Sequence, residues 1–162
     1  MSTKETLLRQ FTKCYDENGW FVATKNAIAN VTAEQAEWKP AGADNSIREL
    51  IQHLNYYINA YLERFKGNDY EYKVANNDET FDKGETESWE AEAARFDAIM
   101  TEWRRQLEQA DDAKFEAIAP PHENRKWRDL IADMNAHTAH HGGQIVLLRK
   151  LQGSWNSSGG VS

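Results

Sequence analysis

Hydrophobic residues return along this chain every three or four positions, the period of a helix with one apolar face. Leu7, Leu8, Phe11, Tyr15, Val22 and Ile28 predict a first helix from about Thr3 to Asn30. The connector VTAEQAEWKPAGADN follows, with a short turn after Thr32 and a break at Pro40. Ser46 and Glu49 have the spacing of a capping box. They open a second helix whose stripe is Ile47, Leu50, Leu54, Ile58, Tyr61 and Phe65, and Gly67 ends it. The segment GNDYEYKVANNDETFDKGE is polar and aperiodic, and reads as a long loop. Trp89, Ala93, Phe96, Ile99, Met100, Trp103 and Leu107 mark a third helix from about Ser88 to Ala110. After DDAKFEAIAPPHENR, broken at Pro120-Pro121, a fourth helix runs from about Lys126 to Leu151.

Four amphipathic helices and no sustained period-two pattern predict an all-α fold, a four-helix bundle. Residues 1–153 form its single domain, and the Gly/Ser-rich tail 154–162 is expected to be flexible. About twenty extended residues, at ~3.3 Å each, can cross the length of a helix, so the connectors do not force a simple up-down-up-down order.

Composition narrows the function classes. The chain has 162 residues, 40% hydrophobic and 28% charged, as expected of a soluble domain with a real core. A net charge of −7 argues against nucleic acid as a partner and against a polybasic membrane patch. Six tryptophans without surrounding basic residues read as core or pocket lining. No stretch approaches the ~20 apolar residues of a membrane span. MSTKETLLRQF lacks the apolar run of a signal peptide, so the cytoplasm is the expected location. The single cysteine, Cys14, excludes an intrachain disulfide and sits where a buried structural thiol would.

The chemistry concentrates in HTAHHGGQ, His137 to Gln144. A glycine weakens a helix interior by roughly 1 kcal/mol relative to alanine, and a buried histidine must find partners for its ring nitrogens. At about 100° per residue, Trp127, Leu130, Met134, Ile145 and Leu148 define the inner stripe of the fourth helix. His137 and His141 fall inside it, and His140 falls at its edge. Two histidines at i and i+4 can bind one divalent metal, or can be hydrogen-bonded core residues. Thr138 and Ala139 stand where a zinc protease helix carries its glutamate, so that reading fails. His122 lies in a connector as a solvated loop residue. His53 lies about 100° off the centre of its helix's stripe, an ordinary boundary position. Beside a facing pair it could complete a three-histidine site. Glu49 and Tyr57, one turn either side of it, could line that pocket or be boundary residues. Gly142 and Gly143 fall on the outer side of the wheel, where they could admit another helix, from a second subunit for instance, or be merely tolerated.

SIRELIQHLNYYINAYL, followed much later by MNAHTAHHGGQIVLLRKLQG, resembles the DinB/YfiT-like superfamily of small four-helix-bundle metalloproteins, which is unrelated to the DNA polymerase sharing that name. EWKPAGADNSI resembles that family's Trp-x-Pro approach to its second helix. The similarity spans about residues 5–152. It implies an up-down-down-up bundle, often a homodimer, and a divalent metal, commonly nickel or zinc. The ligands it implies are His53, His137 and His141, with His140 outside the set and Gln144 matching a glutamine of unstated role. Many members carry arginine where this chain has Gly142, so any contact made by that arginine is missing here.

Three neutral histidines leave a divalent ion its full charge and open coordination positions, the mark of catalytic rather than closed structural sites. A bound water or thiol ionises more readily there. Some members of the superfamily use low-molecular-weight thiols such as bacillithiol or mycothiol. The first reading is therefore a metal-dependent thiol S-transferase acting on small electrophilic molecules. A hydrolase using the same site, a non-catalytic metal- or ligand-binding stress protein or dimeric scaffold, and purely structural histidines are the alternatives. No nucleophile or general base is identified by the sequence. Metal-free protein is expected to show little acid dependence, having no ion to lose.

Overall fold

The computed structural model describes residues 1–81 and 88–160. Its helices are α1 (Thr3–Tyr15), α2 (Thr24–Ala27), α3 (Ala33–Glu37), α4 (Ile47–Phe65), α5 (Trp89–Gln109), α6 (Asp112–Glu116) and α7 (Trp127–Leu151). Two 3-10 turns, Asp78–Phe81 and Ser157–Gly159, complete the regular structure, and no strand occurs among the described residues.

The four long helices α1, α4, α5 and α7 form a bundle in which α4 packs on α5 and α7, and α1 on α7 and α5. Side-chain contacts give their directions. Lys4 donates to the Glu108 and Ala110 carbonyls, while Tyr15, at the far end of α1, meets Asp97 and Thr101. So α1 and α5 are antiparallel. Asn55 donates to Glu92 and Phe65 meets Trp103, which makes α4 and α5 parallel. His53 lies beside His137 and Phe65 beside Trp127, which makes α4 and α7 antiparallel. Because α4 and α5 are parallel, the chain between them must return along the bundle. That crossover lays the turn Asp78–Phe81 against α4.

Local signals set the helix ends. The Ser46 hydroxyl accepts from the Glu49 amide at 3.2 Å, and the Ser46 amide donates to the Glu49 carboxylate at 2.8 Å. Lys39 also reaches that carboxylate, so Glu49 belongs to the cap of α4 and not to the histidine cleft. Gly67, at φ +93°, supplies the left-handed turn that stops the helix. Ile47, Ile51, Leu54, Ile58, Phe96, Trp103 and Ile145 are fully buried, each worth roughly 1.5–3 kcal/mol of apolar burial. Trp103 and Trp89 satisfy their indole N–H groups on the carbonyls of Ile58 and Val31.

The first helix ends fifteen residues short of the predicted Asn30. The Thr12 carbonyl accepts from both Asp16 and Glu17, and the chain then turns through Asn18-Gly19 before α2 begins. Val22 and Ile28 kept helical spacing because both pack on the same core, not because one helix carries them. At the other end, Trp155 packs against the core and the Arg149 guanidinium, which also donates to the Ser154 carbonyl. Thus the segment set apart as a tail makes tertiary contacts, and residues 161 and 162 lie outside the described residues.

Candidate metal centre

His53, His137 and His141 come together with ligand-capable nitrogens within 4.8 Å of one another. The helical period accounts for two of them. One turn of α7 stacks His137 over His141, with ring centroids 4.5 Å apart. His53 is 3% exposed although it lies off the centre of its own stripe. The crossover explains this. Phe81 stacks on the His53 ring at 4.0 Å with the planes 6° apart, and Thr80 lies 2.6 Å from its Nδ1.

Hydrogen bonds set the tautomers. Thr80 gives its own proton to the Asn77 carbonyl at 2.6 Å, so its oxygen accepts from the Nδ1–H of His53. Gln144 Oε1 accepts from the Nδ1–H of His141 at 2.6 Å. Both flanking rings therefore turn a bare Nε2 inward. His137 Nε2 lies 2.9 Å from each of them. It carries at most one proton and can satisfy only one of the two. Three neutral imidazoles that cannot satisfy one another suit a divalent cation, which takes all three lone pairs at once. The residues present fit a metal, and the cluster can hold one.

Electrostatics points the same way. Burial, reinforced by the neighbouring His141 and His137, holds His53 down at about 3. Burial and the neighbouring His141 and His140 hold His137 at about 4. His141 is also lowered, chiefly by burial, with the Gln144 bond opposing. All three shifts favour the neutral, ligand-ready form of the imidazole. These shifts, from burial and the neighbouring rings, predict acid sensitivity even in metal-free protein, where the sequence reading expects little.

A cavity of about 270 Å³ opens beside the cluster, with His53 and His137 in its wall. Tyr57, Tyr61, Ile58, Leu130 and Met134 line its body, and Arg125 and Asp133 stand in the wall as a salt bridge. Tyr57 lines the cleft and donates to Asn77 at 3.2 Å. Burial and a hydrogen bond with Tyr72 push the Tyr61 hydroxyl up to about 12. A larger cavity of about 490 Å³ lies between α1 and α7 and has no histidine or carboxylate among the described residues of its walls. Cys14 lines it, but burial pushes that thiol up to about 11 and it donates to the Asn135 carbonyl, so it is no nucleophile.

The remaining residues of the block separate. His140 is exposed and outside the cluster. Gly143 is exposed with open space around it, but Gly142 is buried, contrary to its place on the outer side of the wheel. In the fold α2 also packs on α7, on the face outside the four long helices. A Cβ on Gly142 would stand 2.7 Å from Thr24 Oγ1, so this glycine admits the chain's own α2. Sequence alone does not mark Thr80, Phe81, Arg125 and Asp133 as site residues. The first pair sits in a polar segment with no period, and the second reads as two unremarked surface charges.

A helical bundle whose second and last long helices converge three histidines on a cleft is a protein equipped to hold a divalent metal. The chain belongs to the DinB superfamily, whose sequence profile matches residues 22–145 and so covers all three histidines. No curated protein and no solved structure matches it. No helix among the described residues is long and apolar enough to cross a membrane.

Proposed function

We propose that the protein is a divalent-metal-dependent enzyme, with His53, His137 and His141 as ligands, that transfers a low-molecular-weight thiol to a small electrophilic molecule. The observation that carries this reading is the cavity beside the cluster, which has His53 and His137 in its wall and gives a small molecule access to that side of the site. Among the described residues no fourth protein ligand joins the cluster, as one would in a closed structural site. Zinc or nickel suits an all-imidazole donor set. When bound, the ion would supply Lewis acidity that favours thiolate over thiol near neutral pH. The chain's own residues do the rest. Thr80 and Gln144 hold two imidazoles in the ligand tautomer. Tyr57, Tyr61, Ile58 and Leu130 bound the acceptor and exclude water.

One observation favours a second reading. Among the described residues, the cavity lining holds two of the histidines, His53 and His137, and one carboxylate, Asp133, which is engaged by Arg125. Without a free general base, a metal- or ligand-binding protein that performs no turnover is the alternative, with hydrolysis at the same site further behind. The homodimer implied by the sequence resemblance and the cytoplasmic location belong to the proposal too; molar mass in solution tests the first.

The deciding experiment purifies the protein without chelators, measures metal by elemental analysis, and screens small thiols against model electrophiles. About one zinc or nickel per chain with thiol-dependent turnover is the expected result. Stoichiometric metal without turnover across the screen would replace the enzyme by the binder, and metal-free protein that refuses both ions would remove the centre altogether.

A further inference from the structure

The cleft beside the histidines has one feature that metal binding does not use. Among the described residues its walls are aromatic and apolar apart from His53, His137, Asn77, and a single pair of opposite charges, Arg125 and Asp133. Arg125 Nη2 donates to Asp133 Oδ2, and the side chains are 40% and 69% exposed. An ion pair that exposed contributes little to stability, so the fold does not account for its position. Asp133 lies one turn of α7, about 5.4 Å, before His137, and Arg125 lies just ahead of the start of that helix. Both charges therefore border the same cavity as the histidine nitrogens.

From this arrangement we infer that the cleft recognises an α-amino-acid head, with the ligand's carboxylate on Arg125, its ammonium on Asp133, and a side-chain donor reaching the histidine cluster. The inference rests on the metal-centre reading above and deepens it. A purely anionic ligand would meet Asp133 and a chain of net charge −7. A purely cationic one would meet Arg125 and the charge of the ion. A zwitterion replaces each half of the existing pair with an equivalent partner, so little Coulombic energy is lost on exchange. Size agrees. About 270 Å³ is just under the roughly 300–1,000 Å³ of pockets for drug-sized molecules, which suits a metabolite no larger than an amino acid with a short side chain.

The test uses zinc-loaded full-length protein freed of unbound metal, with zinc content measured on the same sample. Four probes share one thiol as the metal hook: L-cysteine, N-acetyl-L-cysteine, cysteamine and 3-mercaptopropionate. Binding is read by titration calorimetry, not by turnover. L-cysteine should bind tightest, with each missing or masked charge costing about three- to tenfold. Arg125→Ala should erase the penalty for losing the carboxylate and keep the penalty for losing the ammonium, and Asp133→Ala should do the reverse. Both positions are exposed enough for the variants to fold, and circular dichroism checks it. If zinc is bound but the parent protein takes all four thiols alike, or either variant weakens all four equally, the amino-acid head is wrong and the metal reading survives. If the sample holds no zinc, the metal reading itself fails and takes this inference with it.

Discussion

The two walls of the histidine cleft are built on different principles. On α7 the separation of His137 and His141 is set by one helical turn, and the backbone that fixes it is hydrogen-bonded throughout. On the α4 side His53 is held by a 3-10 turn of the crossover, which supplies Thr80 to its Nδ1 and Phe81 to its ring face. The first wall is local in sequence; the second joins residues 27 apart. A regular helix makes a pair of ligands rigid cheaply, but a third ligand on another helix needs a support that only tertiary structure provides. The parallel run of α4 and α5 provides it, because it obliges the connecting chain to pass over His53.

The largest effect expected from breaking either wall is loss of the metal. Alanine at His53, His137 or His141 removes one of three ligands, and each should reduce stoichiometric zinc or nickel to a small residue in elemental analysis after dialysis. His140→Ala should leave the content near that of the parent, since its ring is exposed and outside the cluster. Equal losses at 140 and 141 would mean that the wrong face of α7 has been assigned to the cleft.

Smaller effects should separate the supports from one another. Thr80 is 4% exposed and is the acceptor for a buried Nδ1–H, so Thr80→Val leaves that donor unsatisfied. Metal affinity should fall by roughly 10–100-fold, the usual cost of losing such a partner. Gln144 is exposed, and water can replace its oxygen. Gln144→Ala should therefore cost less than Thr80→Val when the two are compared by competition with a metallochromic chelator. The reverse order would show α7 to be the wall that needs support.

Acid should also distinguish the walls, in metal-free protein. The folded-state pKa of His53 is lowered to about 3 and that of His137 to about 4, against an ordinary value of 6.5. The unfolded chain then binds more protons than the folded one between those values, so stability rises with pH across this window. The contribution is fully present above about 6.5 and is lost as pH falls towards 4 and then 3, on the order of a few kcal/mol in all. Denaturant midpoints from pH 7.5 to 4 should decline accordingly, and imidazole NMR shifts should show His137 protonating before His53. A flat stability curve in verified metal-free protein would contradict the burial argument at both rings.

What could be read in the sequence follows the same division. The spans of α4, α5 and α7 were visible because their stripes are long and their ends carry ordinary signals, the Ser46–Glu49 box and Gly67 among them. His137 and His141 were visible because the period that places them is the period of the helix. His53 was no more than a boundary residue on its own wheel, and the family resemblance, not its spacing, singled it out. Thr80 and Phe81 left no signal, since nothing in a polar loop says which helix it will cross. The spacing overextends the first helix because Val22 and Ile28, which flank α2, face the same core as α1. An apolar spacing records which residues are buried together, and a turn between two segments can preserve it.

The last contrast lies inside α7, between two adjacent glycines. Gly143 is exposed, and a Cβ there meets nothing within 4 Å. Gly143→Ala should stabilise the protein by about 1 kcal/mol through helix propensity alone. At Gly142 the same methyl would sit 2.7 Å from Thr24 Oγ1, an atom that donates to the Thr138 carbonyl at 3.2 Å. Thr24 is fully buried and β-branched, so its hydroxyl has little room to turn away. Overpacking of this kind costs about 1–3 kcal/mol, which outweighs or cancels the gain in propensity, so Gly142→Ala should be neutral to destabilising by about 2 kcal/mol. Shortening Thr24 to alanine removes the atom that clashes. In the double variant Thr24→Ala/Gly142→Ala the alanine at 142 should then cost less than it does beside threonine, a coupling that chemical denaturation of the four proteins measures directly. If the two glycine variants instead behave alike, α2 does not rest on α7 at this point, and Gly142 has no more structural purpose than Gly143.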